Sequence, residues 1–246
     1  MHSDILYLMH FYNSPLGQIT RRVLRQHIRQ IWPKLHGERV LGIGYPNPYL
    51  RLFSDEAERV ICAMPATQGV THWPEDGKNL ATLCDEMALP FEDYSIDRVV
   101  MIHAMEGCGD PNLLLQEAWR VLSGNGRLLL VVPNRMGLWA RSDHTPFGRG
   151  LPYSYSQLSW LLRQELFTPL SMTRAMYAPP TQSRFWLSWN RGFEKIGRAL
   201  FPQFGGLMII EAKKEVYSAH PTRYRRAKMS PVIFPGHHAP VTPPRP

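Results

Sequence analysis

The chain has no apolar run approaching the roughly 18–20 residues that a bilayer-crossing helix needs. Its start, Met1-His2-Ser3-Asp4, lacks a basic segment ahead of an apolar one. Neither a membrane-spanning helix nor a secretory leader is expected. Cysteine is limited to Cys62, Cys84 and Cys108, which show no CxxC spacing and cannot all pair. That excludes a disulfide framework or zinc ribbon, no metal site is expected, and a reducing, cytoplasmic location is. Lysine is scarce, at six of the 28 basic residues, and residues 219–246 contain no Asp or Glu. There is no internal repeat.

What is present is ordinary for a globular protein: 246 residues, 44% hydrophobic and 20% charged, enough for one substantial core. The formal charge of +8 invites a polyanionic partner. Its distribution narrows that reading. Arg223, Arg225, Arg226, Lys228 and Arg245 lie in the Pro-rich 219–246 segment, read as a basic disordered tail that could contact an acidic partner. Residues 1–218 are then the folded domain and near neutral. They divide into an N-terminal helical segment (1–36), a ligand-binding half (37–134) and a second half with the last strands (135–218).

Asn13-Ser14-Pro15 is a helix start, and Leu16, Ile19, Val23, Leu24, Ile28 and Ile31 recur at helical spacing up to about Trp32. Arg21, Arg22, Arg25 and Arg29 fall between them, as a solvated face or a basic docking surface. Buried strands are expected at Arg39–Gly44, Arg59–Ala63, Leu80–Cys84, Asp97–His103, Arg127–Val132, Ser171–Tyr177 and Leu207–Ala212. Helices are expected at 50–58, 110–122, 156–166 and 185–200, with turns at Tyr45–Pro48 and Ser123–Gly126. Strands alternating with helices imply an α/β fold, a mostly parallel sheet covered on both faces. Ligands of such sheets bind beyond the carboxyl ends of the strands.

Gly42 and Gly44 close the first strand, where glycine allows close backbone approach. A dinucleotide GxGxxG would need glycine at Asn47, which counts against an NAD enzyme. Residues 85–134 are more specific. They carry Asp85, then Leu89-Pro90-Phe91, then Ser95-Ile96-Asp97-Arg98-Val99, and on to Glu117, Arg120-Val121-Leu122 and Gly124-Asn125-Gly126. This run resembles the class I S-adenosylmethionine-dependent methyltransferases of the type 11 group. The strands at 39–44 and 207–215 extend the resemblance more weakly. It implies a Rossmann-like seven-stranded sheet with an antiparallel last strand and helices on both faces, with S-adenosyl-L-methionine as cofactor. Gly42 and Gly44 match the turn that takes the cofactor's amino-acid end. Asp85 matches the acceptor of the adenine amino group, with the backbone near Glu86 and Met87 facing the adenine edge. His103 sits where the family approaches the sulfonium and is the candidate catalytic base, since a neutral imidazole accepts a proton at physiological pH.

The chain departs from the family at two polar anchors. Gly42 and Pro46 stand where the glycine-rich turn has its leading acid and a further glycine, and Met64 stands where an acid holds the ribose. Each lost charge-assisted hydrogen bond is worth about 1.5–3 kcal/mol. Gln68 is a candidate substitute. His144 is a second candidate base, and Tyr153 and Tyr155 candidate acceptor-pocket residues. Phe185, Trp186 and Trp189, beside Arg184 and Arg191, form an aromatic cluster read as packing or as a stacking platform. The leading expectation is methylation of an unidentified acceptor, a small molecule or protein rather than nucleic acid. The alternative is an inactive methyltransferase-like scaffold acting as a binding or regulatory protein.

Overall fold

In the computed structural model, residues 4–183, 187 and 189–216 are described. The side chains of Arg184, Phe185, Trp186 and Arg191, and the 219–246 segment, lie outside the described residues. Asp4 caps α1 (Ile5–Asn13), its carboxylate accepting from the Leu6 N–H. Ser14 opens α2 (Pro15–Ile31) as the sequence expects: its hydroxyl accepts from the Gly17 N–H, and Pro15 occupies the first turn, where no N–H is needed. The strands are β1 (Arg39–Gly44), β2 (Arg59–Pro65), β3 (Ala81–Cys84), β4 (Ile96–Ile102), β5 (Leu122–Pro133), β6 (Phe167–Ala175) and β7 (Leu207–Lys214). The helices among them are α3 (Asn47–Leu50), α4 (Pro111–Val121), α5 (Tyr155–Gln164) and α6 (Asn190–Leu200).

The sheet has seven strands in the order β3-β2-β1-β4-β5-β7-β6. β7 runs antiparallel to both β5 and β6, and the pairs β3-β2, β2-β1, β1-β4 and β4-β5 are parallel. This is the Rossmann-like mixed sheet expected. Strand pleating sends alternate residues to opposite faces. Leu129, Val131, Val100, Ile102 and Ile209 therefore pack with Leu24 and Ile28 of α2 on one face. Leu128, Leu130, Val99, Met101 and Ile210 pack with α4 and α5 on the other. Continuous apolar strands are the sequence signature of that two-sided burial.

Several boundaries differ from expectation. The helix expected at 50–58 is the short α3, because Pro48 suits a first helical turn, and residues 51–56 are turns. Residues 123–126 belong to β5, since Leu122 already pairs with Ile96 before a register shift to Arg98 and Arg127. β6 begins at Phe167 because Pro169, which cannot donate to a ladder, is absorbed at an irregularity on an edge strand. The helix expected from 185 is described as α6 from Asn190. No helix among the described residues is long and apolar enough to cross a membrane.

All three cysteines are free and buried. Burial pushes the Cys62 thiol well up, that of Cys84 to about 12 and that of Cys108 to about 11. At pH 8 the Cys108 thiolate share is then about one in a thousand. Native protein mixed with a disulfide reagent at pH 8 is expected to show no rapid labelling, and all three thiols should react in denaturant. A thiol that reacts within seconds in the native state would contradict this burial.

Candidate functional site

The strand order reverses between β1 and β4, and the crevice at their carboxyl ends is where such a sheet binds ligands. β1 ends at Gly44, which pairs with Ile102 of β4. Gly44 has φ +90, and a Cβ there would lie 2.3 Å from the Ile102 carbonyl oxygen. Only glycine serves at this point, where the Tyr45 N–H donates to the same carbonyl at 2.7 Å. Gly42 faces its own turn, since a Cβ would meet Pro46 and Leu50. Its missing side chain makes room for Pro46 to fold back.

β4 is followed by His103, which is buried and held at φ +56, uncommon for a residue with a side chain. Its Nδ1 lies 3.1 Å from Glu106 Oε1, and its Nε2 lies 2.9 Å from the Tyr12 hydroxyl. The Tyr49 hydroxyl in turn donates to Tyr12 at 3.0 Å. A carboxylate oxygen accepts, so Nδ1 is the donor towards Glu106, while Nε2 faces the Tyr12 hydroxyl. Burial raises the Tyr12 and Tyr49 hydroxyls well above the usual tyrosine range, so both stay protonated as donors. Phe147 packs on the His103 ring at 4.2 Å between centroids, and Tyr12 stacks on Tyr45 at 5.6 Å. The carbonyl of His103 accepts from Gln68 Nε2 at 3.2 Å.

Helix α1 brings Tyr12 to this cluster. It is tied down by the Ile5 N–H to the Gln68 carbonyl at 2.9 Å and by the Tyr7 hydroxyl to the Asp143 carbonyl at 3.3 Å. Beside it lies a cavity of about 480 Å³ lined by Tyr7, His10, His144 and Arg149 among others. His144 is exposed there, away from the His103 hydrogen-bond chain. Tyr153 donates to the Met105 carbonyl at 3.1 Å, while Tyr155 is part-exposed at the start of α5.

The motif run has a physical reading of its own. Arg120 donates to the carbonyls of Leu89 at 2.9 Å and Phe91 at 2.8 Å, and pairs with Glu117 and Asp93. Glu117 accepts from the Leu89 N–H at 2.8 Å, and the Arg120 guanidinium holds its carboxyl below the usual range. Leu89, Phe91, Glu117 and Arg120 thus form one network that pins the loop carrying Asp85. Asp85 is exposed after β3 and accepts from the Met87 N–H at 2.9 Å. Met87 is exposed, and Glu86 is buried beside Cys108. Met64, fully buried, accepts weakly through sulfur from the Thr71 N–H and presents no carboxylate.

Two buried acceptors of the cluster, Gln68 Oε1 and Glu106 Oε2, have no hydrogen-bond partner. Buried oxygens left so are costly and call for a donor or a cation. A ligand with an ammonium or sulfonium end meets that demand, so the residues present fit the cofactor that the sequence resemblance implies. Sequence reasoning missed Tyr12, Tyr49 and Glu106. The i, i+3 spacing of His103 and Glu106 was a usable signal; nothing local marks Tyr12.

Comparison with known proteins bears on the family and the fold. Residues 41–130 match the family model Methyltransf_11, described as a methyltransferase domain. The chain is 28% identical over 220 residues to the uncharacterized protein YafS of Escherichia coli (strain K12), covering 89% of this chain and 86% of that one. Among solved structures, it is similar to a SAM-dependent methyltransferase from Archaeoglobus fulgidus, with 19% identity and a TM-score of 0.58, covering 85% of this chain and 98% of that one. A SAM-dependent methyltransferase from Thermotoga maritima has 16% identity and a TM-score of 0.57, covering 81% and 91%. At such identities these two structures speak for the fold.

Proposed function

We propose that the chain is an S-adenosylmethionine-dependent methyltransferase whose acceptor binds beside His103, a reading that starts from the match of residues 41–130 to the methyltransferase-domain family model. The observation that carries this reading is the pair of orphaned buried oxygens, Gln68 Oε1 and Glu106 Oε2, next to His103 at the switch point of the sheet. The bound cofactor would supply an electrophilic methyl group on a cationic sulfonium.

The chain's own residues divide the remaining work. Asp85 holds the adenine amino group, with the Glu86 and Met87 backbone along the ring edge. Gly44 keeps the turn after β1 free of side-chain bulk, while the Gln68 amide stands in for the ribose acid that Met64 replaces. Glu106 fixes the His103 tautomer from the Nδ1 side. His103 Nε2 takes the proton of a hydroxyl or amine acceptor that displaces the Tyr12 hydroxyl. Phe147 packs on the ring, and Tyr49 donates to the Tyr12 hydroxyl beside it. In-line positioning supplies much of the remaining rate.

A second reading, a scaffold without transfer activity, is favoured by Gly42 and Met64 standing at two polar anchor positions. Calorimetry of the full chain with S-adenosylmethionine and S-adenosylhomocysteine separates the two. Binding of both ligands is expected; no heat at up to about 1 mM ligand would leave the scaffold. Asp85→Ala should weaken binding about tenfold, the effect of one exposed charge-assisted hydrogen bond. Unchanged affinity would refute the adenine assignment.

A further inference from the structure

Helix α6 is mounted the opposite way round from a typical surface helix. Two of its polar side chains bond the protein body: Glu194 accepts from the Tyr177 N–H at 2.8 Å, and Arg198 reaches His27 Nε2 on α2 at 3.2 Å. Gly197 lies against the Tyr177 ring, and the Tyr177 hydroxyl donates to the Pro202 carbonyl. Apolar side chains of its C-terminal part and the following turn face out. Ile196 is 54% exposed, Leu200 67%, Phe201 58% and Phe204 51%. Surface helices ordinarily bury their apolar stripe, and a contiguous apolar surface left outside marks an interaction site.

Beside this ridge runs a groove of about 960 Å³ between α2 and α6, whose lining includes Arg22, Lys195 and Arg198. Its one acid, Glu194, is engaged by the Tyr177 backbone. An apolar ridge flanked by cations is the make-up of a helix that lies in a membrane interface rather than across it. Charge decides between occupants. A second copy docked through the same face would bring a second set of Arg22, Lys195 and Arg198 into one seam, with only Glu194 from each copy to offset them. The chain's own 219–246 segment is basic and has no acid to meet them. An anionic surface is complementary to both the ridge and the groove.

We propose that α6 and the following turn through Phe204 form a peripheral docking surface for an anionic phospholipid bilayer. Ile196, Leu200, Phe201 and Phe204 enter the acyl boundary, and Arg22 and Lys195, both exposed, meet the lipid phosphates. The surface is separate from the His103 cluster, so the proposal does not rest on methyl transfer.

Flotation of the full chain with vesicles tests it. One set is phosphatidylcholine alone; the other contains about 30% phosphatidylglycerol. The chain is expected to float with the anionic vesicles, to be released by salt, and to ignore the neutral ones. Leu200→Glu and, separately, Ile196→Glu should lower the bound fraction at least about tenfold, with melting temperatures unchanged because both side chains are exposed. The triple variant Arg223→Ser, Arg225→Ser, Arg226→Ser should keep binding that Leu200→Glu still abolishes. Three results would overturn the proposal: no flotation of the parent chain, binding lost in the triple variant but unchanged in Leu200→Glu, or a parent dimer that Leu200→Glu converts to monomer without any vesicle binding.

Discussion

The variant His103→Asn is expected to lose about 10²–10⁴-fold in kcat with an acceptor that must shed a proton, the usual contribution of a positioned general base. Asparagine is the informative replacement. His103 sits at φ +56, a conformation that asparagine adopts more readily than alanine, so the backbone at the end of β4 is kept while the base is removed. Asp85→Ala should behave differently, moving the cofactor Kd with little effect on kcat at saturation. A His103→Asn enzyme with the parent kcat would remove His103 from the chemistry and leave it as a packed residue between Tyr12 and Phe147.

Trp139→Ala is expected to destabilise the fold by about 3–5 kcal/mol, at the upper end for a single core truncation. Trp139 is fully buried, and its indole N–H donates to the Ala178 carbonyl at 2.9 Å. It packs edge-on against Phe147 at 6.2 Å and directly against Gly206, so its removal opens a cavity that neighbours cannot close without shifting. The Ala178 carbonyl also loses its donor. Urea denaturation measures the change as a lower midpoint at constant slope. A loss under about 1 kcal/mol would mean that the surrounding loop collapses freely into the space. Because Phe147 bridges Trp139 to His103, a folded Trp139→Phe enzyme tests whether this packing also orients the imidazole.

The ladder of apolar strands was legible because burial on both faces leaves a local mark, uninterrupted runs such as 127–132. Helix starts were legible for the same reason: Ser14 and Asp110 cap their own following turns. The β6 boundary was not, because it is set by pairing with β7 about 40 residues away rather than by its own composition. In the site, Gly44, Asp85 and His103 could be picked out since each follows a strand. The roles of Glu117 and Arg120 could be matched as a motif but not explained, since the carbonyls they hold lie on another segment.

The sequence by itself determined the two-sided sheet, the glycine at the first turn, the acid after β3 and the histidine after β4, because strand alternation and strand ends are local properties. The tertiary structure alone decided what surrounds that histidine. Tyr12 reaches it across 91 positions and Tyr49 reaches Tyr12 across 37, contacts made only when α1 docks over the strand ends. It also decided which side of α6 faces outward. Helical periodicity reveals an apolar stripe, but its direction depends on which polar groups, here Tyr177 and His27, bind the other side.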